Sequence, residues 1–213
     1  MKKKIKPCTF YIVRHGQTEW NLQRRMQGQK DSPLTPEALN LAKSLAKVLR
    51  TIEFAEVFSS DLLRAKRTAE IIALEHKLIV KTNKLIREIT FGQFEGVKID
   101  EFEKLFKDVI EEREKMTNKE RFKTKMAKDI ESDQEIVTRL LRFLKQTALA
   151  YLGKNVVIVA HGGIMRSLLI HLGFGSYQEL RHGTIDNLGY YVLESDGIEF
   201  EIKETHGVTK IKI

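Results

Sequence analysis

Phe10-Tyr11-Ile12-Val13 runs into Arg14-His15-Gly16, and Val156-Val157-Ile158-Val159-Ala160 runs into His161-Gly162-Gly163. Each is an apolar run of strand length that ends in a His-Gly dipeptide. In an open α/β sheet, ligands bind beyond the carboxyl ends of the strands, where glycine lets backbone N–H groups approach an anion closely. The two stretches therefore point two imidazoles, His15 and His161, at one pocket. Two further His-Gly dipeptides, His182-Gly183 and His206-Gly207, follow no apolar run, and His76 and His171 fall in helix-like surroundings. Surface or loop positions without chemistry are expected for these four.

Outward from the two strands, strand-like and helix-like segments alternate. A loop over Gln23 to Thr35 precedes a helix from about Pro36 to Arg50, with Thr35 as N-cap and Leu39, Ala42, Leu45, Ala46 and Leu49 on one face. A strand over Glu56 to Ser59, a helix over Leu62 to Leu74 and a strand near Leu78 to Val80 follow, then a loop over Leu85 to Gly96. A helix over Asp133 to Tyr151 hands over to the strand ending at Ala160, and hairpin-like strands over Gly189 to Leu193 and Ile198 to Lys203 come last. The fold class expected is α/β: a three-layer α/β/α sandwich with a central, mostly parallel sheet. Residues 1–213 read as one domain with a helical lid insertion at about 97–130, Val97 to Ile130. Between Arg113 and Lys128 the insertion holds seven Lys or Arg against two Glu, a composition that fits either capture of an anionic substrate or a solvated face.

Composition narrows the class. At 213 residues and 42% hydrophobic content, the chain is long enough for one substantial core. Cys8 is the only cysteine, so no internal disulfide forms, and a reducing compartment, the cytoplasm, is expected. No apolar span of about 20 residues occurs, so no membrane partner is expected. The apolar stretch after the Lys-rich start is too short for a signal peptide. The net charge of +8 favours an anionic partner. Lys2, Lys3, Lys4 and Lys6 read as a solvated tail, and the aromatic and basic patterning of a nucleic-acid binder is missing, so no nucleic acid is expected.

Four motifs in order carry a resemblance. Arg14 to Asn21 with Arg25-Met26-Gln27-Gly28 and Asp31-Ser32-Pro33-Leu34-Thr35 forms the first. Ser59-Ser60-Asp61-Leu62-Leu63-Arg64-Ala65 with Thr68-Ala69 is the second. Glu88-Ile89 through Phe91-Gly92 and Phe94-Glu95-Gly96 is the third, and Ala160-His161-Gly162-Gly163 the fourth. Over about residues 9 to 190 the chain resembles the histidine phosphatase (phosphoglycerate mutase-like) superfamily.

The chemistry of these residues is coherent. A neutral imidazole can attack phosphorus in line and give a phosphoramidate that water cleaves, which makes His15 the nucleophile. Arg14 and Arg64 supply planar forks for the equatorial oxygens, and His161 adds a donor. The resemblance makes Glu88 the acid that protonates the leaving oxygen and the base that then activates water. Asn21, Gln27, Gly28 and Gly162 are expected to bind substrate. No metal and no cofactor are expected, because the clamp carries the positive charge. Taken singly, the bland readings are the favoured ones: Arg14 and Arg64 as surface or ion-pair residues, Glu88 as a cap or a partner of Arg87, and His161 as a core histidine. Their joint placement on the motifs favours catalysis.

Within the superfamily, Arg25 to Gly28 and Phe91 to Gly96 look like the phosphatase branch, which includes broad-specificity and fructose-2,6-bisphosphatase-like enzymes. The implied substrate is a small phosphorylated metabolite. The alternative is a 2,3-bisphosphoglycerate-dependent phosphoglycerate mutase. Such mutases usually show Arg-His-Tyr after the glutamate and a paired-arginine site in the insertion. Here Ile89-Thr90-Phe91 follows Glu88, the insertion has no adjacent arginine pair, and the short stretch to Ile213 is expected to leave the phosphohistidine open to water. Gln29, Ala38 and Ile130 depart from the pattern at positions where Trp, Gly and Gly are usual, which points to an altered pocket rim and lid junction. Two readings from other classes are a non-catalytic phospho-ligand module, which usually lacks the nucleophile, and a nucleic-acid binder with a steep salt dependence.

Overall fold

The computed structural model describes residues 6–212. Six strands form one sheet: β1 (Cys8–Arg14), β2 (Phe54–Ser59), β3 (Val80–Thr82), β4 (Asn155–Ala160), β5 (Ile185–Ser195) and β6 (Phe200–Val208). Their spatial order is β3-β2-β4-β1-β5-β6. The first four are parallel to one another, whereas β5 and β6 pair antiparallel. Val156 to Ala160 are all buried, as expected for a central parallel strand covered on both faces.

The two-residue period of the strands divides the apolar residues between two cores. Phe10, Ile12, Val156, Ile158 and Ala160 face one, while Val13, Val57, Val157 and Val159 face the other. The second core is closed by α2 (Pro36–Leu49) and α3 (Leu63–Glu75), which follow the four-residue helix α1 (Glu19–Leu22). Pro36 occupies the first turn of α2 and the Thr35 hydroxyl accepts from the Ala38 N–H at 3.1 Å, a start set by local chemistry. Ala38, Ala42 and Ala46 on α2, with Ala65, Ala69 and Ala73 on α3, let the helix layer lie close to the sheet.

The first core is closed by α7 (Asp133–Ala150) and α8 (Gly162–His171). Ser132 and Glu135 form a capping box that starts α7. The segment between, expected as a helical insertion, forms α4 (Ile99–Leu105), α5 (Lys107–Lys115) and α6 (Asn118–Lys123). Its Phe102 and Phe106 pack on Phe94 at ring distances of 5.7 and 4.9 Å and join the first core. Among the described residues no helix is long and apolar enough to cross a membrane.

The largest boundary differences from expectation are in β3, β5 and β6. Strand β3 is Val80–Thr82 rather than Leu78 to Val80, because Val80 pairs with Val57 and Thr82 with Ser59. The last two strands are longer than the apolar pattern indicates, with register shifts in their pairing between Ile185 and Tyr190 and between Val192 and Leu193. Bulges of this kind carry pairing past the point where strict alternation stops.

Candidate active site

Parallel pairing sets Arg14 opposite Ala160, and the His15 N–H extends the ladder to the Ala160 carbonyl at 3.0 Å. The residue after each strand is a histidine, so this register alone brings His15 and His161 together: their ring centroids are 5.1 Å apart at 61°. Strand β2 ends level with them, its next residue donating from the Ser60 N–H to the Val159 carbonyl at 3.0 Å. The chain then turns into α3, which delivers Arg64 to the same place.

The His15 Nδ1 lies 2.7 Å from the Gly16 carbonyl. A carbonyl only accepts, so Nδ1 carries the hydrogen and Nε2 keeps its lone pair. The Arg64 Nε–H donates to that Nε2 at 3.3 Å. Burial, then the charges of Arg64 and Arg14, hold the His15 imidazole well below its ordinary pKa, so the ring is neutral. Burial and the Arg64 charge do the same to His161.

Arg64 is 1% exposed. Its Nη1 donates to the Lys30 carbonyl at 2.7 Å and to Asp31 Oδ1 at 2.9 Å, and its Nη2 to the Gly28 carbonyl at 2.6 Å. With Nε on His15, four of its five hydrogens are placed. Arg14 Nη1 donates to the Ile185 carbonyl, while Arg14 Nε and both ring nitrogens of His161 are buried without a hydrogen-bond partner among the described residues. Buried polar atoms left unpaired around a pocket are the sort of site a ligand completes.

Glu88 reaches the start of α8. Its Oε2 accepts from the Gly163 N–H at 2.9 Å, and its Oε1 from the Ile164 and Ile89 N–H groups at 3.0 and 2.9 Å. His161 caps α8 without a side-chain bond, which leaves the first-turn amides to this carboxylate. A Cβ on Gly163 would fall 2.6 Å from Glu88 Oε1; the second glycine after His161 is there to make room.

A cavity of about 1180 Å³ opens over these groups. Eight of the nine expected site residues line it: Arg14, His15, Asn21, Gln27, Gly28, Arg64, Glu88 and Gly162. The ninth, His161, is fully buried, with its ring against that of His15. The Asn21 Oδ1 accepts from the Thr18 N–H and hydroxyl at 3.0 and 3.1 Å, so only its amide nitrogen is available to the cavity. Gln27 Oε1 is buried and unpaired among the described residues. Gly28 has φ +56°, and a Cβ there would meet Glu95 Oε1 at 2.2 Å, so this glycine shapes the loop and turns its carbonyl to Arg64.

Several residues that hold the site escaped the sequence reading. Asp31 grips Arg64 and also accepts from the Leu63 N–H at 2.7 Å. Glu95 ties the loops together by accepting from the Gln29, Lys30 and Phe91 N–H groups at 2.8, 3.1 and 3.1 Å. Arg139 on α7 spends all five N–H groups on Glu131 and on the carbonyls of Leu85, Arg87 and Glu88. Asn187 Nδ2 donates to the His15 carbonyl at 3.0 Å. Asp31 and Glu95 stood inside quoted motifs; Arg139 and Asn187 carried no local signal. Arg87 pairs with Asp61 at 2.7 Å, not with Glu88. His182 is exposed in a turn, as expected, and borders the cavity. His171 stacks on Phe122 and His206 on Tyr190.

A doubly wound sheet with two strand-end histidines, two arginines and a glutamate defines a phosphoryl-handling class of site. The profile of the histidine phosphatase superfamily (branch 1) matches residues 10–206, and the chain belongs to that superfamily. It is 32% identical over 164 residues to a Bacillus subtilis (strain 168) protein described as an uncharacterized phosphatase, PhoE, with 77% of each chain covered. It is 34% identical over 187 residues to the probable phosphoglycerate mutase GpmB of Salmonella arizonae, with 84% of each covered. A phosphoglycerate mutase structure from Bacillus anthracis str. Sterne superposes with a TM-score of 0.83 at 26% identity, over 96% of this chain and 94% of that one.

Proposed function

We propose that this chain hydrolyses small phosphomonoesters through a phosphohistidine on His15, without a metal. The observation that carries the reading is the His15 ring itself. It is buried and neutral, its lone pair is on Nε2, and a buried, unpaired Arg14 Nε and His161 ring surround it.

His15 Nε2 attacks phosphorus, and the P–O bond to the leaving group breaks as the N–P bond forms. As Nε2 bonds to phosphorus it releases the Arg64 Nε–H, which turns to an equatorial oxygen, and these oxygens also take the remaining Arg64 Nη2 hydrogen, the Arg14 Nε–H and one His161 N–H. Glu88 Oε1 already accepts two N–H groups and Oε2 accepts one, so Oε2 is the atom that carries the proton to the leaving oxygen. Water then attacks the phosphohistidine, gives its proton to Glu88, and releases inorganic phosphate with His15 restored. Gln27 Oε1 suits a substrate hydroxyl and Asn21 Nδ2 a phosphoryl oxygen. Helices α4 to α6 act as the lid of a single domain. The lone thiol of Cys8, whose pKa burial pushes up to about 12, suits the cytoplasm.

The likeness to GpmB keeps mutase activity as the second reading. A panel of phosphorylated metabolites at neutral pH with chelator, read as phosphate release, separates the two. Rapid quench with labelled substrate is expected to trap an acid-labile, alkali-stable adduct that His15→Ala lacks. Full activity in His15→Ala overturns the mechanism. Interconversion of 3- and 2-phosphoglycerate faster than phosphate release, with dependence on a bisphosphate primer, overturns the hydrolase reading.

A further inference from the structure

Gln29 stands at a junction that the steps above do not use. It lies between Gly28 and Lys30, whose carbonyls accept from Arg64 Nη2 and Nη1 at 2.6 and 2.7 Å, so its backbone belongs to the grip on the phosphoryl-binding arginine. Its own N–H is held by Glu95 Oε1 at 2.8 Å. Its side chain spans to the segment that carries the general acid: Gln29 Oε1 accepts from Arg87 Nη1 at 3.0 Å, and Gln29 Nε2 donates to the Glu88 carbonyl at 3.4 Å. Gln29 is not among the residues that line the cavity. Whatever it does for the reaction passes through Arg64 or Glu88.

The orientation of the Gln29 amide is set by its neighbours. Arg87 holds both Asp61 oxygens, Nε on Oδ1 and Nη2 on Oδ2 at 2.7 Å each, and this two-point pair fixes the plane of the guanidinium and with it the direction of Nη1. A guanidinium only donates, so the end of the amide that meets it is the oxygen, and the end that meets the Glu88 carbonyl is the NH2 group. Asp61 is anchored in turn: the Ser60 N–H before it extends the sheet ladder, and α3 begins at Leu63 just after it.

The Glu88 carbonyl therefore has two donors from different elements, Gln29 Nε2 from the loop around Arg64 and Arg139 Nη2 from α7 at 3.1 Å. The Gln29 bond is the longer and weaker of the two, and its importance lies in where it comes from. Arg139 ties the acid to the helix layer, whereas Gln29 ties it to the arginine that grips the phosphoryl group. Tryptophan, the residue usual at this position, has one donor and no acceptor, so it cannot take the Arg87 hydrogen. The relay from Asp61 through Arg87 to Glu88 depends on the glutamine.

We infer that Gln29 is a positioning residue that couples the grip on Arg64 to the acid Glu88, so that phosphoryl group and proton donor keep a fixed relation. The inference rests on the phosphatase reading of the His15 site. It is tested by rapid-quench measurement of phosphohistidine formation from an alkyl and an aryl phosphate in Gln29→Met, a side chain of similar length with neither amide group. The rate on the alkyl phosphate is expected to fall about fivefold to tenfold with substrate affinity unchanged, and the rate on the aryl phosphate to change by less than about twofold, because its leaving group needs little protonation. Gln29→Glu keeps the acceptor for Arg87 and lacks the hydrogen for Glu88. The same selective loss is expected there, which covers the case in which Gln29→Met does not fold. Added to Glu88→Gln, Gln29→Met is expected to cost nothing further on the alkyl phosphate, since the donor that it positions is gone. Equal losses on the two esters, as from a general loosening of the Arg64 grip, overturn the inference. So do losses that multiply in full in the double variant, or wild-type rates in either Gln29 variant. A wild-type chain that releases no phosphate from either ester instead overturns the phosphatase reading, and the inference with it.

Discussion

At His15 the reactivity of one nitrogen is set by the bond of the other. The Gly16 carbonyl fixes the hydrogen on Nδ1, and the neighbouring arginines keep the ring from taking a second proton. Glu88 depends in a similar way on the absence of an atom. Alanine at Gly163 would set its Cβ 2.6 Å from Glu88 Oε1 and 2.9 Å from Ile89 Cδ1. The carboxylate is the flexible partner, so it moves, and it leaves the Gly163 and Ile164 amides. Gly163→Ala is therefore expected to lower kcat roughly tenfold or more on alkyl phosphates, since general acid catalysis is lost, and less on aryl phosphates, whose leaving group needs little protonation. Rates measured across a leaving-group series check this, and an equal loss on every substrate would place the effect elsewhere.

At the scale of elements, the segment that carries Glu88 is short of regular structure. Between β3 and α4 it makes only two 3-10 turns, Lys84–Ile86 and Gly92–Phe94. Arg139 compensates from α7 by donating to three of its carbonyls, while Glu131 holds Arg139 and accepts from the Thr90 N–H at 3.0 Å. Removing a charged donor from such a network leaves several acceptors unpaired. Arg139→Met is expected to cost on the order of 2–3 kcal/mol of stability and to lower kcat more than it raises KM, because Glu88 loses its support. Denaturant melts and steady-state kinetics measure both, and wild-type values for the two would show that the segment holds itself.

Across the whole molecule, two apolar cores enclose a sheet whose parallel strand ends present histidines stripped of water. Both His15 and His161 are neutral when folded because burial lowers their pKa, while in the unfolded chain they titrate near 6.5. Below that value the unfolded state binds protons that the native state refuses, so stability falls as pH drops from about 7 towards 5. Each histidine contributes a slope of up to about 1.4 kcal/mol per pH unit. His161→Gln is expected to flatten the dependence of Tm on pH across that window, and an unchanged slope would show that His161 does not contribute.

The sequence by itself determined the elements and most of the site. Val156 to Ala160 could only be a central strand, Thr35-Pro36 could only open a helix, and the strand-end His-Gly pairs marked the pocket, because period, caps and glycine conformations act within a few residues. Only the tertiary structure decided what binds what across the chain. The β1–β4 register set His15 beside His161. The fold also brought Arg139 to a loop some 50 residues away and Asn187 to the His15 carbonyl. Such contacts leave no local trace, since an arginine or histidine reads the same in sequence whether it faces water or a buried partner far along the chain.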